Sequence, residues 1–288
     1  MPAQLNRRAA LGLGSVAATT VLTAHLRGAD PAQQLAAVYA SQVQAAGGTW
    51  HARVSLPGSS TVVVDSASGA VVAAAGVNTI AVAVAVLDKV DRGLLTLGTT
   101  VQVTSDLVSA DGLFGLAGAY PSTITLGHAL AVLLTVSDDT AARLCGLVAP
   151  AAEIDQIMTA KGFPNTNADR TTAGELHDLL AALAGGTLLA ASSTGFLLGL
   201  LRSPIAGTDG IRHTMSSAER ARIATRAGAQ DNVRNEVGVV VDASGTPQLI
   251  YSLFASGMPQ GADDVGATNP AVRARAVMGR SWLDILDG

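Results

Sequence analysis

The sequence predicts an α+β fold, in which an antiparallel sheet is flanked by the N- and C-terminal helices and carries an all-helical subdomain. Three observations predict it. Strand-like segments form two groups, one near each end of the chain, helical patterns begin and end the chain, and further helical patterns fill the interval between the two groups. Strands that are grouped, rather than alternating with helices, favour an antiparallel sheet.

The composition favours a globular protein with a large core. Of 288 residues, 49% are hydrophobic and 14% are charged, which excludes intrinsic disorder. The net charge of −4 argues against nucleic acid or an anionic membrane as the main partner. The single cysteine, Cys145, excludes a disulfide within the chain and a multi-cysteine metal site, and we expect it to be a buried, small apolar residue.

Residues 1–29 are interpreted as an export signal rather than as part of the fold. Arg7 and Arg8 precede an apolar run that ends near Leu26, a pattern typical of twin-arginine signals. Glycine, threonine and histidine within the run argue against a transmembrane anchor. We therefore expect an exported protein, in the cell envelope or outside the cell, whose folded domain covers residues 30–288. A cytoplasmic location follows if the interpretation of the signal is wrong.

The first group of elements is a helix followed by two strands. Asp30 is a candidate N-cap, and Pro31 suits the first helical position. Gly47 and Gly48 end the helix, and strands follow over residues 50–56 and 60–65, separated by a Pro-Gly turn.

A long block of helices comes next. Residues 79–91 are apolar nearly all round and end in charged residues, which indicates a buried central helix, although a valine-rich run also suits a strand. Leucines spaced along residues 123–136 predict another helix. Thr172 and Glu175 form a capping-box pattern that opens a further helix, which ends at Gly185.

The pattern returns to strands after Gly210. Strands are predicted over residues 221–229, 236–242 and 248–255, and the last helix starts at Asn269 and Pro270. We therefore expect two lobes. Residues 30–75 and 210–288 form an α/β lobe, and residues 76–209 form a helical lobe.

Several stretches taken together resemble one enzyme family. They are Val-Leu-Asp-Lys-Val-Asp-Arg-Gly ending at Gly93, Ser137-Asp138-Asp139, the helix opened by Thr172, and Arg226-Ala227-Gly228 followed by Arg234. In this order they resemble class A β-lactamases and related serine hydrolases of the penicillin-recognising fold. The resemblance covers residues 31–286 and implies a β-lactamase/transpeptidase-like fold.

The family's nucleophilic pair, Ser-x-x-Lys at the start of the central helix, is missing. Such a serine needs a base to remove its proton. One alignment register puts Gly76 and Thr79 in the two places, and a shift of two residues puts Asn78 and Ala81 there. The only lysines, Lys89 and Lys161, lie elsewhere. We keep Gly76, Asn78 and Thr79 as candidate substrate-binding residues.

The family's second motif, Ser-Asp-Asn, is replaced by Ser137-Asp138-Asp139. One interpretation is a helix-capping turn at a solvent-exposed end. The other is a retained cleft element, in which Ser137 and Asp139 are the only catalytic candidates and Asp139 acts as an acceptor or general base if it is desolvated. Asp138 is expected to be structural in either case.

The third motif, Lys-Thr-Gly or Lys-Ser-Gly, is replaced by Arg226-Ala227-Gly228, which keeps the charge and the glycine but loses the hydroxyl. Arg234 matches a place where many family members hold the substrate carboxylate. Two guanidinium groups in one cleft suit a carboxylate or phosphate. The alternative is a pair of exposed strand arginines with solvated charges.

The glutamate that activates the hydrolytic water in class A enzymes is also missing. In the short gap before the Thr-Thr helix only residues 167–170 are available, and none of them is glutamate. No metal-binding spacing is found, and His128, His177 and His213 are expected to be structural or exposed.

These losses predict a catalytically degenerate protein that binds a carboxylate-bearing small molecule or peptide in the former active cleft. One alternative is a repurposed enzyme that uses non-covalent acid–base chemistry there. A second alternative is an active β-lactamase or serine hydrolase with an unrecognised nucleophile. We expect no cofactor, no metal, no nucleic-acid partner and a monomeric chain.

Overall fold

The computed structural model describes residues 30–110, 112–118, 120–207, 209–260 and 266–288. The interpretation of residues 1–29 as an export signal lies outside the described residues. The α-helices are α1 (Pro31–Ala46), α2 (Thr79–Asp91), α3 (Leu113–Leu116), α4 (Leu126–Val136), α5 (Asp139–Val148), α6 (Ala151–Ala160), α7 (Ala173–Ala184), α8 (Ala191–Leu201), α9 (Ser217–Ala221) and α10 (Pro270–Asp287).

The strands of the main sheet are β1 (Thr49–Leu56), β2 (Thr61–Ser66), β7 (Ile223–Gln230), β8 (Val233–Val241) and β9 (Pro247–Ser256). They lie in the order β2-β1-β9-β8-β7, and every neighbouring pair is antiparallel. Two small ribbons accompany the sheet. Strands β3 (Val71–Ala73) and β6 (Arg170–Thr172) form one, and β4 (Thr100–Val103) and β5 (Ser122–Thr125) form the other. The α+β class and the antiparallel sheet are confirmed.

The two faces of the sheet cover two separate cores, because side chains alternate between faces along each strand. On β9, Leu249, Tyr251 and Leu253 pack towards the terminal helices α1 and α10. Ile250 and Phe254 point the other way and pack on the helical block. The indole Nε1 of Trp282 in α10 donates to the Leu35 carbonyl of α1, which joins the ends of the folded chain.

Helix α2 lies at the centre of the helical block. Seven of its thirteen residues are buried, Ile80, Ala81, Ala83, Val84, Ala85, Val86 and Leu87. Small and branched side chains let neighbouring helices approach α2 closely. Because the chain has few aromatic residues, its core is filled by such close packing rather than by large side chains. The predicted bounds of this helix are confirmed.

Some boundaries differ from the sequence-based predictions. Residues 122–125 form strand β5, so the helix predicted from residue 123 begins at Leu126, with Thr125 as its N-cap. Strand β8 begins at Val233 rather than at residue 236. The subdomain expected to be all-helical also contains β4, β5 and β6, which are three or four residues long and too short to give a clear alternation.

Two expected caps also differ in detail. Asp30 occupies the N-cap of α1 but makes no capping hydrogen bond with its side chain. Thr172 accepts from the Glu175 amide, whereas the Glu175 carboxylate does not return the bond and binds Asn165 and Thr166 instead. The capping box at Thr172 is therefore only half formed.

No helix among the described residues is both long enough and apolar enough to cross a bilayer. The division of the domain into lobes at residues 76 and 210 stays a prediction.

Candidate functional site

A cavity of about 530 Å³ lies between strand β7, the start of α2, the junction of α4 with α5, and α10. This volume is typical of a pocket for a small ligand. The cavity brings together most of the residues predicted from the sequence, namely Gly76, Thr79, Ser137, Asp139, Arg226, Gly228 and Arg234. Asn78 is the exception. It is the N-cap residue of α2 and does not line the cavity.

Strand β7 and the turn before α2 touch through backbone atoms at one side of the cavity. A Cβ atom on Gly228 would overlap the Ala75 carbonyl oxygen and lie 2.9 Å from the Val77 nitrogen. Gly76, which has a φ of +95°, would place its own Cβ 3.4 Å from the Gly228 Cα. Glycine is therefore needed at residue 228 for close approach and favoured at residue 76 by its backbone conformation.

Arg226 on β7 is buried, with 5% of its surface exposed. Its Nη1 donates to the Leu134 carbonyl of α4 at 3.0 Å, and its Nε donates to the Gly76 carbonyl at 3.4 Å. No carboxylate among the described residues forms an ion pair with it. Burial lowers the pKa of Arg226 to about 10, so the guanidinium still carries its charge at neutral pH.

Arg234 on β8 is also buried, with 2% of its surface exposed. Its Nη1 donates to the carbonyls of Asp231 and Val233 at 2.7 and 2.8 Å. The alternative that Arg226 and Arg234 are exposed strand arginines is therefore wrong. Both side chains line the cavity, and solvent does not surround their charges.

A third cavity arginine, Arg275 of α10, was not predicted from the sequence. Its Nε lies 3.1 Å from Oε2 of Glu236, and both residues are almost completely buried. Thr225 donates to the same carboxylate at 3.0 Å, and the Ile211 amide donates to it as well. Burial raises the pKa of Glu236, and Arg275 opposes that shift. Arg275 and Glu236 form a structural ion pair behind the cavity.

The second motif forms the opposite wall. Ser137 ends α4 in the left-handed conformation, with φ 60° and ψ 38°, which is uncommon for a residue other than glycine. Asp138 is buried and uses both carboxylate oxygens, accepting from the amides of Ala141 and Leu113. It caps α5 as expected. Ser137 and Asp139 are exposed at the cavity rim, so the desolvation that a general base at Asp139 requires is not met.

Residues 76–81, which cover both alignment registers for the family's nucleophilic pair, contain no serine and no lysine. Thr79 donates its hydroxyl to the Gly76 carbonyl at 2.9 Å. No lysine or histidine is present among the described residues that line the cavity. The two lysines of the chain form ion pairs with carboxylates that do not line the cavity. Lys89 binds Glu153 at 2.8 Å, and Lys161 binds Asp88 at 2.8 Å.

The glutamate nearest to the shortened loop does not reach the cavity. Glu175 of α7 accepts from the backbone and side-chain nitrogens of Asn165 and from the Thr166 hydroxyl. These bonds fix the loop before β6. No glutamate lines the cavity within the described part of the chain.

The remaining nucleophile candidates lie away from the cavity. Cys145 is fully buried, and burial raises the pKa of its thiol to about 12, so it is not reactive. Ser55 of β1 lies 2.8 Å from Nε2 of His177, whose Nδ1 lies 2.9 Å from Asp178. This serine–histidine–aspartate chain joins α7 to the sheet. Ser55 and His177 are buried, and neither of them lines the cavity beside β7. His177 is structural, as expected.

No group of three metal-binding side chains occurs among the described residues. Two site residues escaped sequence analysis, Arg275 and Asp209, which also line the cavity. Arg275 lies inside a helix that was predicted from its Asn-Pro start, and Asp209 lies in a loop. Neither position carries a local sequence signal for a site.

The comparisons with known proteins agree with the fold. A model of the β-lactamase enzyme family matches residues 30–280. No match was found among curated protein sequences. Among solved structures, a β-lactamase from Chitinophaga pinensis is 19% identical, with a TM-score of 0.72 over 89% of this chain and 98% of that one. A β-lactamase from Xanthomonas campestris is 17% identical, with a TM-score of 0.75 over the same shares of the two chains. The structure of PBP-A is 18% identical, with a TM-score of 0.73 over 89% of this chain and 97% of that one.

Proposed function

The chain belongs to the β-lactamase enzyme family, and we propose that it is a catalytically degenerate member, which binds a carboxylate-bearing small molecule or peptide in the cavity beside β7. A family and a fold can be shared by active hydrolases and by proteins without activity. The proposal therefore depends on the side chains of the cavity rather than on the similarity to known β-lactamases.

The observation that carries the binding proposal is the buried charge of Arg226. A charge that is taken out of water is costly unless it meets an opposite charge. Arg275 has Glu236 for this purpose, whereas no described carboxylate pairs with Arg226. An anionic ligand in the cavity would supply the missing charge, and a guanidinium suits a carboxylate.

The absence of four reactive groups that the family uses supports the loss of covalent chemistry. Neither alignment register, Gly76 with Thr79 or Asn78 with Ala81, supplies the family's serine and lysine. Ala227 stands where the family uses a hydroxyl, and no glutamate of the shortened loop lines the cavity in the described part of the chain. Because acyl transfer needs a nucleophile and a base in contact, the loss of both removes the first step of the reaction.

The two alternatives receive less support. A repurposed acid–base enzyme needs a desolvated Asp139, and Asp139 is exposed. An active β-lactamase agrees equally well with the family and the fold, but it needs a base next to its nucleophile, and no lysine, histidine or glutamate lines the cavity in the described part of the chain. The Ser55–His177–Asp178 chain has suitable distances, yet it lies outside the cavity.

Calorimetric titration with N-acetyl-alanyl-alanine and its C-terminal carboxamide tests the binding proposal. We expect the free carboxylate to bind and the carboxamide to bind at least about tenfold more weakly, because a charged hydrogen bond is roughly twice as strong as a neutral one. Arg226→Met should abolish this preference. Arg273→Met, which removes an exposed arginine of α10, should retain it. Equal binding of both peptides, or no difference between the two variants, would refute a carboxylate site at Arg226.

We also propose that the protein acts outside the cytoplasm as a monomer. The twin arginine at residues 7 and 8 and the apolar run after it support export. Detection of the chain in the periplasmic or secreted fraction, and its loss from that fraction when both arginines are replaced by lysine, would test the signal.

A further inference from the structure

The rim of the cavity carries a charge opposite to that of its floor. Asp139 at the start of α5 and Asp209 before the 3₁₀ turn Gly210–Arg212 both line the cavity and are both exposed. Arg226 lies at the buried side of the same cavity. A ligand that fills this space therefore meets positive charge at one end and negative charge at the other.

The carboxylates around the cavity differ in what they already bind. Asp138 accepts from two backbone amides, Glu236 pairs with Arg275, and Asp209 lies 3.3 Å from Nδ1 of His213. Asp139 makes no hydrogen bond or ion pair with any described side chain. Its carboxylate is therefore the one at the rim that is available to a ligand.

The type of side chain at residue 139 decides which ligand group it accepts. An asparagine, which the resemblance implies at this position, offers both a donor and an acceptor to an amide. An ionised aspartate only accepts, so the group that faces it must donate, and a cation is favoured over a neutral donor. Asp139 lies in the first turn of a ten-residue helix, where the helix dipole stabilises negative charge.

We infer that Asp139 is a specificity-determining residue and that the ligand is zwitterionic, with an anionic group near Arg226 and an ammonium or similar cation near Asp139. A free amino acid or a peptide with an unblocked amine has this chemistry. The inference rests on the proposed function, because it names the class of ligand that the same cavity accepts.

The test compares alanyl-alanine with N-acetyl-alanyl-alanine by calorimetric titration at low ionic strength. The two peptides share the carboxylate and differ in the ammonium group. The pH is set about two units below the pKa of the peptide amine, which is about 8, so that the amine is charged. We expect the free amine to bind about three- to tenfold more tightly to the wild-type chain, a modest effect because Asp139 is exposed and screened by solvent.

Asp139→Asn should remove this preference by weakening the binding of alanyl-alanine alone. Asp155→Asn changes the net charge equally at an exposed position of α6 away from the cavity, and it should retain the preference. If the wild-type chain binds both peptides equally, or if Asp139→Asn weakens both equally, the inference is overturned while the carboxylate site stands. If neither peptide binds at millimolar concentration, the proposed function fails together with the inference.

Discussion

Arg226 and Arg275 are two buried arginines on one cavity, and they differ in what balances their charge. Arg275 faces the Glu236 carboxylate, which also accepts from Thr225 and the Ile211 amide. Arg226 faces two carbonyl oxygens, of Gly76 and Leu134, whose partial charges do not compensate a full positive charge. At the scale of single residues, we therefore assign Arg275 to stability, whereas the proposed function assigns Arg226 to binding.

Replacing each arginine by methionine should separate these two roles. Arg275→Met leaves the Glu236 carboxylate buried without its cation, and we expect the free energy of unfolding to fall by about 3–5 kcal/mol. Arg226→Met removes a buried charge that has no anionic partner, and we expect a change of no more than about 1 kcal/mol. Urea unfolding followed by circular dichroism measures both. A loss at Arg226 as large as that at Arg275 would mean that Arg226 is structural.

Sequence analysis identified part of this site because the motif residues lie on locally recognisable elements. Arg226, Gly228 and Ser137 were found by their place in short motifs, and the structure brings them to one cavity. The Arg275–Glu236 pair was not found, since its members are 39 residues apart and meet only when α10 packs on the sheet. The burial of Arg226 and Arg234 was also left open, because an arginine on a strand gives no local signal of which helix covers it.

At the scale of elements, the contact between β7 and the turn before α2 shapes the cavity. The strand and the turn approach through the backbone of Gly228, Ala75 and Gly76, and Arg226 adds a bond to the Gly76 carbonyl. A side chain at residue 228 would therefore separate the two elements at the point where the family places its nucleophile.

Gly228→Ala should destabilise the chain by about 1–3 kcal/mol, because its Cβ would meet backbone atoms that cannot rotate away. Gly146→Ala is the matched control. Residue 146 lies in α5, and the Cβ that alanine would add there has no neighbouring atom within 4 Å, so this variant should raise the free energy of unfolding by up to about 1 kcal/mol. Chemical denaturation of the two variants measures the contrast. Equal effects would show that β7 and the turn are not in close contact.

The longer elements were predicted well and the short ribbons were not. Helix α2 has the predicted bounds, and α10 begins after Asn269 as its Asn-Pro pair indicated. Strand β5 was absorbed into the helix that follows, because four residues cannot show an alternation and the leucine spacing continues across the boundary. Its partner β4 lies about twenty residues earlier, and only their pairing marks either of them as a strand.

At the scale of the whole molecule, the C-terminal helix closes the fold by charge as well as by apolar packing. Arg280 of α10 donates to Glu219 of α9 at 2.7 Å, and Arg222 donates to Asp287 at 2.7 Å. The hydrogen bond from Arg280 holds the pKa of Glu219 at about 2, well below its ordinary value of 4.5. Arg222 likewise lowers the pKa of Asp287.

These ion pairs predict a loss of stability in acid. Because the folded-state pKa of Glu219 is depressed, its contribution is present above about pH 4.5 and is lost as the pH falls towards 2. Glu219→Gln keeps the size of the side chain but removes the charge that pairs with Arg280, so the variant should be slightly less stable than the wild type at neutral pH. The difference should be small, since Glu219 is accessible to solvent. Urea unfolding at several pH values should show the difference shrinking below pH 4.5, and a difference independent of pH would contradict this account.

The central claim is that this member of the β-lactamase family has lost covalent chemistry. It is tested most directly by intact-protein mass spectrometry after incubation with a penicillin, a cephalosporin and a fluorophosphonate. We predict an unmodified mass with all three, from a chain shown by circular dichroism to be folded. A stable adduct would contradict the claim. Its site would then name the nucleophile, with Ser137 in the cavity and Ser55 beside His177 as the two serines to examine first.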